Sequence, residues 1–201
     1  MQVIKNVKRP SGPFPSLPSG MDIVIKKHFD SFMERGELPP ELHKEDCIKG
    51  CTLFDDKETL KTWRNNFQGI QHTDKETGIL LHGAIDTLLV HNSKLIVLDF
   101  KTRGFPLKED THENYQTQMD MYNFLLRANG YATENYAYLL FYYPDKVTEK
   151  GDVIFQTKLI KIQIDSERAE FVFKRAIDTL QHKEQPLQSE QCEFCKWHDK
   201  D

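Results

Sequence analysis

Long apolar runs are missing from this chain of 201 residues; none approaches the ~18 residues that a membrane-crossing helix requires. A signal-peptide core is missing too, because the opening MQVIKNVKRPSGPFPSLPSG is basic and rich in Pro and Gly. Together these predict a cytoplasmic protein without a membrane partner. Charge of one sign is not in excess: 27 Lys and Arg face 31 Asp and Glu, for a net charge of -4. Such a balance argues against a surface that is basic overall, although a local basic groove can coexist with an acidic remainder. No G-x-x-x-x-G-K-[ST] pattern occurs, so a nucleotide-driven motor of that type is not expected here. Cysteine is scarce, with four residues in two close pairs, Cys47 with Cys51 and Cys192 with Cys195. In a reducing compartment such pairs suggest thiols or metal ligands more than disulfides.

What is present is an ordinary globular composition, 38% apolar, 11% aromatic and 29% charged. A chain of this length can bury a core without staples, and it is read as one domain over residues 1–201, with a core at about 19–182 and a cysteine-bearing tail at 183–201. A first helix is predicted from Ser19 to Arg35, with Ser19 and Asp22 at capping-box spacing and Gly36 as its stop. Pro39 and Pro40 break the chain, and residues 41–55 read as loop or short helix. A short helix after Asp55 is expected to turn Leu60, Trp63 and Phe67 inward. Residues 79–103 read as a β-hairpin around His91-Asn92-Ser93-Lys94. A helix from Thr111 to Asn129 follows, with Asp110 as N-cap and Gly130 beyond its end. Strands at Tyr136–Tyr143, ended by Pro144, and at Phe155–Ile164 come next. Asp165 or Ser166 then caps a last helix reaching Leu180, with Phe171, Phe173, Ile177 and Leu180 among its apolar positions. This order implies an α/β fold with a central mixed β-sheet flanked by helices.

The hairpin carries the chemistry. A loop of two residues (Asn92-Ser93) or four (His91 to Lys94) gives one register, in which partner numbers sum to 185. Asp86 then lies opposite Asp99, Ala84 opposite Lys101 and His82 opposite Arg103, all on one face. Leu88, Val90, Leu95 and Val97 occupy the same face nearer the turn. Two carboxylates directly opposite each other repel, and among Leu, Ile and Val they also suffer desolvation. A divalent cation relieves both costs, and carboxylate oxygens with room for water suit Mg²⁺ or Mn²⁺. Lys101 could orient a bound water or neutralise charge developing on a phosphate. The competing reading is a structural ion-pair cluster of Asp86, Asp99 and Lys101 at the open end of a sheet, and a bulge would carry Asp86 to the other face.

Gly83-x-x-Asp86, Asp99-Phe100-Lys101-Thr102 and Gln118-x-x-x-Tyr122, in that order, resemble the PD-(D/E)XK nuclease superfamily, and within it the RecB-like branch. Ile85 stands where the superfamily's name has proline, which the Gly-x-x-Asp form of that branch accommodates. The resemblance implies a restriction-endonuclease-like core in αββαβ order and metal-dependent hydrolysis of nucleic-acid phosphodiesters. It implies that Asp86, Asp99 and the backbone carbonyl of Phe100 bind Mg²⁺, that Lys101 assists the attacking water, and that Gln118 and Tyr122 line the site near substrate. Gln118 and Tyr122 stand four apart on one helical face, though that face could equally be packing. A further family ligand on the first helix is assigned to His28, with Asp22, Asp30 and Glu34 as rivals.

Cys192-x-x-Cys195 has metal-ligand spacing, and Cys47 with Cys51 could complete a four-thiolate site, with His43 and His198 as spare ligands. Some RecB-like nucleases, CRISPR-associated ones among them, clasp the domain ends with an iron–sulfur cluster. They use one upstream cysteine and three near the C-terminus, whereas the split here is two and two. Zinc, an iron–sulfur cluster and two pairs of reduced thiols therefore all stay open. Candidate phosphate contacts are Arg103, Lys108 and the Lys5, Lys8 and Arg9 arm. The function expected is a Mg²⁺-dependent DNase of DNA repair or recombination, beside a separate helicase or repair factor. The alternatives are a non-catalytic nucleic-acid-binding or assembly module that keeps the fold, and a metal-dependent hydrolase of another phosphate ester.

Overall fold

A computed structural model describes residues 16–182, 184, 187 and 189–192. Its first helix, α1 (Ser16–Met33), starts one turn earlier than expected. The chain reverses at Gly36, whose φ of 67° is the left-handed conformation that glycine takes without strain. Short pieces follow: α2 (Pro40–His43), a 3₁₀ turn (Asp46–Ile48), β1 (Thr52–Leu53) and α3 (Lys57–Trp63). Asp56 caps α3 by accepting from the Thr59 amide at 3.0 Å. Leu60 and Trp63 are buried as expected, but Phe67 is 93% exposed. It falls beyond the helix, in a turn where Asn65 Oδ1 accepts from its backbone N–H.

The sheet is built from β4 (Thr87–His91), β5 (Lys94–Thr102), β6 (Tyr136–Val147) and β7 (Val153–Gln163), with β1 on its edge, in the order β1-β4-β5-β6-β7. Only β5 and β6 run parallel, and between them pass a 3₁₀ turn (Thr111–Tyr115) and α4 (Gln116–Ala128). The expected N-cap Asp110 therefore starts a 3₁₀ turn and makes no side-chain cap. At the other end Gly130, with φ 86°, terminates α4 as expected. Pro144 does not end β6. Past Tyr142 this strand pairs only with β7, so a residue without an N–H is tolerated there, beside a register shift at Pro144/Lys146. The last helix, α5 (Ser166–Gln181), is capped by Asp165 and buries Ala169, Phe173 and Ile177, while Phe171 stays 60% exposed.

The hairpin register holds from the turn down to Thr87, which pairs with Leu98. Its loop is the two-residue form, with Asn92 and Ser93 both at positive φ, as a type I′ turn requires. Both sheet faces are buried. Leu88, Leu95 and Val97 share a core with Met119, Tyr122 and Leu125 of α4. Leu89, Ile96, Leu98 and Phe100 share another with Ile25 and Phe29 of α1.

Below Thr87 the expected pairing fails, and His82 and Ala84 do not face Arg103 and Lys101. Residues 80–83 form β3 (Leu80–Gly83), which pairs with β2 (Ile70–Thr73) in a separate two-stranded sheet. Two contacts draw the chain aside. The Ile85 amide donates to the Trp63 carbonyl at 3.0 Å, and Arg64 Nε donates to the Asp86 carbonyl at 2.6 Å. Ile85 and Leu88 consequently enter the same core although three residues apart, which a regular strand forbids. With β4 gone, the last residues of β5 pair on the other side with β6, Lys101 beside Phe141 and Thr102 beside Tyr142.

Candidate active site

Asp99 lies at the end of β5 that leads into α4, on the face α4 covers, and is only 2% exposed. Its carboxyl is pushed up to about 7, first by burial and then by the charge of Asp86, with Lys101 and Lys26 pulling the other way. Lys101, two residues on and on the same face, forms a close ion pair with Asp99 Oδ2. That oxygen is buried, and the Lys101 ammonium is its partner. Two carboxylates and the Phe100 carbonyl brought together at a buried site form an all-oxygen donor set of the kind that Mg²⁺ or Mn²⁺ takes.

Asp86, which sits beside the Asp99-Phe100 peptide rather than in the ladder, is held at both oxygens. Oδ2 accepts from the Phe100 amide at 3.0 Å, and Oδ1 lies 2.9 Å from Lys26 Nζ on α1. Lys26 also reaches Asp22 Oδ2 at 2.8 Å, four residues back on the same helix. Burial by itself would pull the Lys26 ammonium down, but Asp86 and Asp22 reverse this and hold it above the ordinary lysine value. Arg64, besides gripping the Asp86 carbonyl, holds Asp30 of α1 through Nη1 at 2.8 and 2.9 Å. Thus α1 presents Asp22, Lys26 and Asp30 along one face, and Arg64, just past the end of α3, ties that face to Asp86.

The α4 side of the site comes together as the spacing predicted. Lys101 Nζ donates to Gln118 Oε1 at 2.9 Å, and Gln118 Nε2 donates to Tyr122 Oη at 2.8 Å. The Tyr122 hydroxyl is held above its ordinary value by burial and then by the Asp99 charge, so it keeps its proton. Having accepted from Gln118, it still has that proton to donate. Gly83 allows this approach: a Cβ there would stand 2.9 Å from Tyr122 Cε1 and 3.1 Å from Leu125 Cδ1. The first residue of Gly83-x-x-Asp86 is thus a packing requirement of Tyr122.

Other expected residues fall elsewhere. His28 stands two residues beyond Lys26, about 200° further round the helix, and turns away from Asp86. It meets Glu41 Oε1 at 2.9 Å, and Tyr142 donates to the same oxygen at 2.8 Å. Of its rivals, Asp22 and Asp30 lie on the Asp86 side, while Glu34 pairs with Lys57 at 3.0 Å. Arg103 is half-buried at the end of β5, with Nε buried and unpaired among the described residues. Lys108 is exposed on the loop leading to α4. Cys47 is exposed in the 3₁₀ turn before β1 and Cys51 is buried; burial first, then Cys47, raises the Cys51 thiol. Cys195, His198 and the Lys5, Lys8 and Arg9 arm lie outside the described residues, within which no three His, Cys, Asp or Glu side chains converge into a ready-made metal cage. Nor is any described helix long and apolar enough to cross a membrane.

Two contacts of Asp86 are not foreshadowed in the sequence pattern. Lys26 was legible only as half of an i, i+4 pair with Asp22, and nothing in the pattern announced Arg64.

A pair of aspartates, a lysine on the same strand, and a Gln–Tyr pair on the next helix converge at one end of the sheet. A family model described as the PD-(D/E)XK nuclease superfamily matches residues 34–199. This chain belongs to the PD-(D/E)XK nuclease superfamily. The five-stranded mixed sheet with flanking helices is consistent with the restriction-endonuclease-like fold. Membership supports a hydrolase acting on phosphodiester bonds, with nucleic acid as its substrate. No curated protein matches the chain. All of α1, Lys26 included, lies outside the matched span.

Proposed function

We propose that the chain is a divalent-metal-dependent deoxyribonuclease of the RecB-like branch, a single nuclease domain over residues 1–201. The observation that carries this reading is the Asp99 carboxylate, buried beside Asp86 and paired with Lys101. Asp86, Asp99 and the Phe100 carbonyl would hold Mg²⁺ or Mn²⁺. When bound, such an ion polarises a phosphoryl oxygen and lowers the pKa of a water nucleophile.

Around that centre the chain's own groups divide the work. Lys101, anchored by Asp99 and Gln118, presents an ammonium where it can orient the attacking water and offset charge gathering on the phosphate. Gln118 fixes both Lys101 and Tyr122, and the Tyr122 hydroxyl offers its proton to a phosphate or sugar oxygen. Arg103 supplies a guanidinium for a neighbouring phosphate, and Lys108 adds a weaker contact. A cytoplasmic role in DNA repair or recombination, with a separate helicase or repair factor, belongs to the same proposal. So does a zinc or iron–sulfur site on Cys47, Cys51, Cys192 and Cys195.

One observation favours the second reading, a nucleic-acid-binding or assembly module without catalysis: Lys26 and the Phe100 amide already engage both oxygens of Asp86. End-labelled single- and double-stranded DNA, with and without Mg²⁺ or Mn²⁺, separates the two. Metal-dependent cutting that disappears in Asp99→Ala and Lys101→Ala, with DNA binding retained, is the expected result. Binding without cutting in all three proteins, on DNA and then RNA, would leave the non-catalytic module.

A further inference from the structure

The nuclease proposal leaves Lys26 without a part. Its ammonium lies between Asp22 Oδ2 and Asp86 Oδ1, at 2.8 and 2.9 Å, and the side chain is only 20% exposed. It is therefore a held cation, not a loose surface lysine. Each oxygen of Asp86 already carries one partner, and the second one takes the Phe100 amide, which is fixed backbone of β5. Of the two groups on Asp86, only the lysine can leave. Its side chain is long and flexible, whereas the amide cannot move without breaking the sheet.

We propose that Lys26 is the resident counter-cation of Asp86, which a divalent ion must displace to load. This inference rests on the reading of Asp86 and Asp99 as the metal-holding pair. Before loading, two lysines neutralise two aspartates: Lys26 on Asp86 and Lys101 on Asp99. The buried acids are thereby tolerated in the metal-free protein, where unpaired they would repel each other. On loading, Lys26 gives up Oδ1. Asp22, one turn back on α1, keeps the released ammonium close by. The lysine thus lowers cation affinity, the reverse of what a residue that merely positions Asp86 would do. At an effective dielectric of about 20, a unit charge some 5 Å from a dication is worth at least about ten-fold in affinity, even after allowance for side-chain movement.

The test is calorimetric titration of Mn²⁺ into metal-free wild type, K26M, K26R and Asp99→Asn. Methionine is a good helix former, and circular dichroism checks that K26M is folded. The expected result is about ten-fold tighter Mn²⁺ binding by K26M, wild-type-like affinity in K26R, and loss of binding in Asp99→Asn. K26M that binds Mn²⁺ as wild type does, or more weakly, while Asp99→Asn still abolishes binding, would overturn the role of Lys26 and leave the metal reading intact. A matching gain in K26R would also overturn it, because that variant keeps the charge. Wild type that takes up no Mn²⁺ through Asp99 would overturn both.

Discussion

Replacing Asp99 by Asn removes one buried charge at almost constant volume and makes a pH-dependent change that can be worked out in advance. The folded-state value of this acid is raised, from the ordinary 3.8 to about 7. Protonated Asp99 therefore contributes stability that is fully present below 3.8 and is lost as pH rises through about 7. At about 1.4 kcal/mol per pH unit, that loss is about 3 kcal/mol between about pH 5 and about pH 8. Asn does not titrate, so in EDTA the stability of Asp99→Asn relative to wild type rises by that amount over the range. The comparison removes every other group the two proteins share. A constant offset remains, because Lys101 loses its counter-charge while keeping Gln118. Urea unfolding followed through Trp63, which is buried against Phe54, measures the difference at each pH. A divalent ion then acts in the opposite direction: at a concentration of about 100 Kd it adds about 2.7 kcal/mol to wild type and nothing to the variant. A stability difference that stays flat from about pH 5 to about pH 8 would refute the account of Asp99 as a buried acid with a raised pKa.

Gly83→Ala would push a methyl into Tyr122 and Leu125, at a cost of about 1–3 kcal/mol in urea unfolding, and it should lower cleavage by displacing the Tyr122 hydroxyl. Arg64→Ala frees the Asp86 carbonyl and Asp30, and a loss of about 10–100-fold in Mn²⁺ affinity is expected by calorimetry, as for other groups that orient a metal ligand. Asp120 is fully buried, accepts from the Asp165 amide and pairs with Arg168, so Asp120→Ala should cost about 2–3 kcal/mol by the same unfolding assay with little effect on cation binding. His28→Gln should leave Mn²⁺ affinity unchanged within about two-fold, because His28 faces Glu41 and not Asp86; a larger loss in the same titration would put His28 back among the ligands.

The legible parts of the site are those governed by local periodicity. Asp99 and Lys101 share a face because they are two apart in a strand, and Gln118 and Tyr122 share one because they are four apart in a helix. The turn residues Asn92 and Ser93 carry the register as far as Thr87. Phe67 and Phe171 show where the same reasoning misleads, since an apolar side chain near a helix is buried only if another element covers that side. Pro144 shows it again, for a proline ends a strand only where a neighbouring strand needs its N–H.

From sequence alone, then, come the superfamily motifs, the mixed α/β architecture, the helix boundaries at Asp165 or Ser166 and at Gly130, and the shared faces of Asp99 with Lys101 and of Gln118 with Tyr122. Each depends on a repeat of two or 3.6 residues, or on the chemistry of a single turn, and so on neighbours along the chain. Tertiary structure alone decides that Asp86 leaves the ladder, that Arg64 holds it there, and that α1 offers it Lys26 instead of His28. Those contacts join segments far apart in sequence. Their geometry is set by how α1 and α3 pack on the sheet, and no local period records it.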